Sequence, residues 1–125
     1  YKVKETLQKL KQKNFKLAIL SNGTPELLNH LVSTNNLENI FDDIFSIEEV
    51  KIYKPDSRVY DLPIKKFKFR KDEIVFLSAN TWDVSGGGNY GFNSIWVNRS
   101  NNIFDSLDFK PKIEIKSLNE LLSII

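Results

Sequence analysis

Cysteine and methionine are both absent from the 125 residues, and histidine occurs once, at His30. Without cysteine there is no disulfide scaffold, no thiolate metal site and no cysteine nucleophile. His30 falls inside a helical stretch and reads as a surface or partly buried residue, not as a ligand. No apolar run approaches the roughly 18 residues that a membrane span needs, and no signal peptide is visible. A large charge of one sign is also lacking. Lys and Arg total 18 against 16 Asp and Glu, a net +2, so charge gives no support to a nucleic-acid or anionic-membrane partner. The chain opens on Tyr1 without methionine, which leads us to expect that its own beginning lies further upstream.

What is present suffices for a core. Hydrophobic residues make up 41% and charged residues 27%, with nine Phe, four Tyr and two Trp. That balance excludes a disordered tail and fits one domain over residues 1–125. The expectation is a globular domain, soluble and cytoplasmic.

Along the chain, residues 3–13 place Val3, Leu7 and Leu10 at helical spacing. Residues 15–20 then read as a short buried strand. Ser21-Asn22-Gly23-Thr24-Pro25 is a turn, a Thr cap and a proline at the first helical position. The helix that it opens carries Leu27, Leu28, Leu31 and Val32 on one face. Strands are predicted near residues 43–46, at 73–78, at 93–98 and, more weakly, at 112–115. Helices are predicted at 57–67 and 82–89, and Ser117 caps a last one containing Leu118, Leu121 and Leu122. Strands alternating with helices predict an α/β fold, a parallel sheet with helices on both faces.

In open parallel sheets, ligands bind beyond the carboxyl ends of the strands. Two predicted strands end in polar clusters: Ser21, Asn22, Gly23 and Thr24 after one, Ser78, Asn80 and Asp83 after the other. The loop through Lys54-Pro55-Asp56 adds a cation. Together these suit a small anionic substrate. Each piece also has a purely structural reading. Ser21 to Thr24 can be a turn and cap alone, Lys54 a solvated loop residue, and Asp83 a stabiliser of its helix N-terminus. The basic run from Lys65 to Lys71, interleaved with Phe67 and Phe69, has the pattern of a single-strand binder, but reads better as a solvated helix end with two buried phenylalanines.

Taken in order, four stretches resemble the haloacid dehalogenase superfamily, in its L-2-haloacid dehalogenase branch. Leu17-Ala18-Ile19-Leu20-Ser21-Asn22-Gly23 is similar to the second motif of that family. Glu49-Val50-Lys51, Tyr53-Lys54-Pro55-Asp56 and Arg58-Val59-Tyr60 resemble the third. Val75-Phe76-Leu77-Ser78-Ala79-Asn80-Thr81-Trp82-Asp83 resembles the fourth, and Gly91-Phe92 with Trp96-Val97-Asn98-Arg99 resembles the strand after it. The resemblance covers nearly the whole chain. It implies a Rossmann-like core and a hydrolase in which an aspartate displaces halide from a 2-haloalkanoic acid, forming an ester that water cleaves.

The roles that the resemblance implies are specific. Lys54 neutralises the surroundings of the nucleophile, and Ser21 and Asn22 hold the substrate carboxylate, with Asn22 also near the departing halide. Trp82 lines the halide side. Ser78, Asn80 and Asp83 position the lysine and the hydrolytic water, and Tyr60 supports the cluster. No metal or other cofactor is implied, because phosphatase members carry extra acidic residues in the fourth motif where Ser78 and Asn80 stand here. A magnesium-dependent phosphatase is therefore the lesser alternative.

Three features depart from the family. Nothing in residues 1–14 resembles the first motif, whose strand carries the nucleophile and lies centrally in the sheet, followed by a cap domain. The expectation is an incomplete core, inactive alone, that forms homodimers or self-associates through unpaired strand edges. A non-catalytic remnant is the alternative reading. Pro63 inside a helix and Gly86-Gly87-Gly88 in another cost about 3 and 1 kcal/mol per residue respectively, and point to relaxed constraint or to a local kink.

Overall fold

The computed structural model describes residues 3–47, 51, 54, 56–104 and 111–125. Glu49, Val50, Tyr53 and Pro55, which carry part of the resemblance to the third motif, lie outside the described residues. The elements are α1 (Val3–Gln12), β1 (Ala18–Ser21), α2 (Pro25–Thr34), β2 (Asp43–Ser46), α3 (Ser57–Phe67), β3 (Val75–Ser78), α4 (Thr81–Tyr90), β4 (Asn93–Val97) and β5 (Ile113–Ile115). Short 3-10 turns follow at Lys71–Glu73 and Leu118–Ser123.

Local chemistry accounts for many of the boundaries. Thr24 accepts the Leu27 amide through Oγ1 at 3.2 Å, and Pro25 opens α2. Asp56 caps α3 by accepting the Arg58 amide at 2.9 Å, and Lys68 closes that helix in the left-handed region at φ 59°. Ser117 and Glu120 form a reciprocal capping box at the last 3-10 turn. Helix α3 continues through Pro63, whose ring is buried.

Among the described residues every strand pair is parallel, but the pairs form two groups. β1 pairs with β2, from Ala18 opposite Asp43 to Ser21 opposite Ser46. β3, β4 and β5 form the other, in that order, with Phe76 opposite Ser94 and Ile95 opposite Ile113. Helices cover both faces, as the alternation predicts. Leu7 and Leu10 of α1 and Leu121 of the last turn bury one face with Ile95 and Ile115, and Val75, Leu77 and Val97 pack against them. On the other face, Phe76 meets Tyr60 of α3 and the backbone of α4 at Gly87.

Among the described residues, no strand pairs with the second edge of β1 or of β3. Between those edges lies a cavity of about 310 Å³, lined by Ala18 and Leu20 on one side and Val75 and Leu77 on the other, with Leu10 and Phe67 among its walls. Parallel strands are ordinarily buried on both faces. Here Ala18 is exposed and the rest of β1 and all of β3 only half-buried, whereas Ser94, Ile95 and Trp96 of β4 are buried.

The strand expected to be buried at residues 15–20 is formed instead by Ala18–Ser21, exposed to half-buried, with Phe15 40% exposed. Two further expectations need correction, and the apolar face of α2 is only part-covered. Only Leu28 and Val32 of α2 are buried, while Leu27 and Leu31 are 51% and 48% exposed. The helix lies against a sheet of two strands, too narrow to cover the whole apolar stripe. Phe69 is 39% exposed and Phe67 half-buried, so the two phenylalanines of the basic run are not core residues; their rings stack at 6.2 Å. Gly87 is not a mark of relaxed constraint. A Cβ there would lie 2.6 Å from Phe76 Cδ2 and 3.0 Å from Cε2, so α4 approaches β3 this closely only with glycine at that position.

Asp42 ties the start of β1 to β2. Its carboxylate accepts the Leu17 amide at 2.7 Å and pairs with Lys11 Nζ at 3.3 Å, while its own amide donates to the Leu17 carbonyl at 2.6 Å. Burial opposes ionisation, but the Leu17 amide and the Lys11 ammonium outweigh it and hold the carboxyl below its ordinary 3.8. A carboxyl lowered on folding stabilises above its unfolded value and ceases to do so as the pH falls through its folded one. Urea midpoints of the protein are therefore expected to fall below about pH 4, and Asp42→Asn to fall less over that range. Equal acid slopes for the two proteins would show that Asp42 contributes nothing to the acid limb.

Candidate functional site

The carboxyl ends of β1 and β3 stand on either side of the cavity, and the polar residues of the sequence gather above them. Strand β1 ends at Ser21, whose Oγ accepts the Gly23 amide at 3.0 Å and so holds the turn closed. Asn22 reaches across to the loop before α3, its Oδ1 accepting the Lys54 backbone amide at 3.0 Å. The same turn is gripped from β2, where the Ser46 hydroxyl donates to the Gly23 carbonyl at 2.7 Å. Strand β3 ends at Ser78, whose Oγ accepts the Asn80 amide at 3.1 Å. Asn80 is the residue preceding α4 and makes no side-chain cap, which leaves its exposed amide group clear of the helix.

The first turn of α4 then delivers Asp83 inward. Its Oδ2 receives Lys54 Nζ at 2.9 Å, and its Oδ1 receives the Tyr60 hydroxyl at 2.8 Å. The Lys54 and Asp83 side chains are 7% and 5% exposed, which makes this a desolvated ion pair. Tyr60 is fully buried. Burial first, then the Asp83 charge and the hydrogen bond to it, push the Tyr60 phenol well above its ordinary 10.0, so it stays a neutral donor. Phe76 lies below, with Lys54 Nζ 5.5 Å from its ring centroid.

The donors and acceptors in this cluster are unequally used. Both Asp83 oxygens are engaged, and the Ser21, Ser78 and Asn22 acceptors all receive backbone amides. The hydroxyl protons of Ser21 and Ser78, the Asn22 amide and the remaining Lys54 protons are donors. A cluster whose acceptors already receive protein donors, and which adds hydroxyl, amide and ammonium donors of its own, suits an anion. Among the described residues no three His, Asp or Glu side chains gather as a metal site.

Of the eight residues singled out from the sequence, Asn22, Lys54, Tyr60 and Asp83 form one connected network. Ser21, Ser78 and Asn80 stand beside it at the strand ends, joined to their own turns. Trp82, in the first turn of α4, is 42% exposed. Two residues of the cluster have no site role in the sequence reading. Ser46 is opposite Ser21 in the β1–β2 register, a relation that only strand pairing reveals. Phe76 reads in the sequence as an ordinary core residue of β3.

Among the described residues, no helix is long and apolar enough to cross a membrane. The profile of the haloacid dehalogenase-like hydrolases matches residues 1–97. The (S)-2-haloacid dehalogenase of Pseudomonas sp. (strain YL) is 38% identical over 122 residues, covering 98% of this chain and 53% of that protein. The (S)-2-haloacid dehalogenase of Pseudomonas putida is 39% identical over 117 residues, covering 94% and 52%. Among solved structures, a dehalogenase superposes with a TM-score of 0.95 at 35% identity, covering 99% of this chain and 55% of its own. The L-2-haloacid dehalogenase of Xanthobacter autotrophicus, with chloropropionic acid covalently bound, gives 0.88 at 26% identity, covering 98% and 59%. The chain thus spans about half the length of the relatives that it matches. With its parallel α/β fold, the matched profile and these relatives, this chain belongs to the haloacid dehalogenase-like hydrolases.

Proposed function

We propose that the protein is a 2-haloacid dehalogenase whose nucleophilic aspartate lies upstream of residue 1, on a strand seated between β1 and β3. The observation that carries this reading is the donor-rich cluster around the Lys54–Asp83 pair, set at the strand ends beside the apolar cavity. An extended segment there would pair with both free edges, cover the half-exposed β1 and β3, and bring its last residue to Lys54. An aspartate in that position would meet a cation already fixed in place.

In the reaction, a carboxylate oxygen attacks the halogen-bearing carbon, and halide leaves with the bonding pair. Water then adds to the ester carbonyl and the acyl–oxygen bond breaks; one water proton ends on the departing oxygen, giving the 2-hydroxy acid, and the other is lost to solvent as the carboxylate is restored. Lys54 offsets the charge of the nucleophile. Ser21 and Asn22 donate to the substrate carboxylate, with Asn22 also near the leaving halide, and Trp82 borders the halide side. Asp83 holds Lys54 in place and helps to position the hydrolytic water. Tyr60 fixes Asp83, while Ser78 and Asn80 are placed to orient the water.

Restoring the upstream segment is expected to yield chloride from 2-chloropropionate without added metal. The absence of halide from the full-length protein would overturn the reading. Magnesium-stimulated phosphate release would favour the phosphatase alternative, although among the described residues the cluster offers a single carboxylate, already bound to Lys54 and Tyr60. A second reading, a piece that acts only by association, is supported by the half-exposed β1 and β3 edges.

A further inference from the structure

The proposed chemistry depends on where the Lys54 ammonium sits, and one ion pair does not fix a flexible four-carbon stem in place. Phe76 touches both groups that bind Asp83. Lys54 Nζ lies 5.5 Å from its ring centroid, within cation–π range. The Tyr60 ring meets it edge-on at 5.7 Å and 89°. Phe92 packs on it at 5.8 Å. The space beside Cδ2 and Cε2 is closed by the backbone of α4 at Gly87, where a Cβ would lie 2.6 Å away. The ring is thus clamped by its neighbours, with Lys54 over its face.

We infer that Phe76 is a positioning residue, whose ring face holds the Lys54 ammonium over the strand ends and whose body seats Tyr60 against Asp83. The role rests on the dehalogenase reading only in what Lys54 is positioned for; the hold itself does not. It also gives Gly87 a purpose, since any side chain there would displace the ring. A leucine at position 76 fills similar space but offers no electron-rich face to a cation.

The test replaces Phe76 site-specifically with mono-, di- and trifluorophenylalanine in the full-length protein. Fluorine draws electron density from the ring face while barely changing its volume. Reductive methylation by formaldehyde and borohydride needs access to the amine, so a weaker hold on the 7% exposed Lys54 side chain speeds its labelling. The labelling rate, read by peptide mass, is expected to climb stepwise, about threefold or more across the series. Lys71, whose ammonium lies 3.9 Å over the Tyr90 ring, is the internal control and should keep its rate. A flat Lys54 series, or an equal rise at Lys71 showing general loosening, would overturn the inference. Should Phe76→Leu fail to fold, the fluorinated series still decides the matter. Halide release measured on the same proteins should lose kcat stepwise at unchanged KM. Stepwise labelling with no halide at all would uphold the role of Phe76 and overturn the dehalogenase reading instead.

Discussion

Asp83→Ala is expected to destabilise the protein by about 3–5 kcal/mol, the range found when one partner of a buried ion pair is removed. The alanine would leave the Lys54 ammonium, on a side chain only 7% exposed, without a counter-charge. It would also leave the fully buried Tyr60 hydroxyl without the acceptor it now has at 2.8 Å. Asp83→Asn should lose less, because an amide oxygen can still receive Tyr60, but its NH2 group would face the ammonium that Asp83 now receives at 2.9 Å. Urea unfolding measures both, and a shift of the midpoint at constant slope would assign the loss to the folded state. A loss below about 1 kcal/mol for the alanine variant would mean that water compensates Lys54 and that the pair is not desolvated as its exposure indicates. The double variant Lys54→Met with Asp83→Leu should recover much of the stability, since apolar replacements of buried pairs are often neutral or better. It should recover none of the halide release, which separates folding from function.

The second large effect concerns the cavity between β1 and β3. The chain of 125 residues, studied alone, is expected to self-associate as its concentration rises, because two strand edges flank an apolar space of about 310 Å³. Sedimentation velocity across a hundredfold range of concentration would show this. A version extended upstream is expected to melt more than about 10 °C higher, since burying even two apolar side chains contributes about 1.5–3 kcal/mol each and 1 kcal/mol moves a domain of this size by several degrees. A sharp, concentration-independent melt of the 125-residue chain as a monomer would overturn the expectation. Unchanged melting of the extended protein would show that its added segment does not occupy the cavity.

Both effects depend on relations that the order of residues expresses only in part. Wherever neighbours in the chain decide the outcome, the sequence was sufficient. Pro25 behind Thr24, Asp56 ahead of α3 and the Ser117–Glu120 pair set helix boundaries through bonds spanning two or three residues. Strand and helix alternation then required a parallel sheet, and a parallel sheet placed Ser21 and Ser78 at the same end. The polar site was legible for that reason.

Tertiary structure decided the rest, because it turns on distances between residues far apart in the chain. Lys54 and Asp83 are 29 positions apart and Tyr60 and Asp83 are 23 apart, so no local pattern reveals that both Asp83 oxygens are taken. Asn22 likewise spends its carbonyl on a backbone amide 32 residues on. Gly87 looked like a weak point of α4 because helix propensity counts only its own helix; the Phe76 ring against its Cα is what makes glycine necessary. The exposure of Leu27 and Leu31 followed from the width of the sheet beneath α2, which the periodicity of a single helix cannot register. Composition and spacing determine which elements form and where their polar ends gather. Which of those groups remain free to act is determined only when the packed elements use up the others.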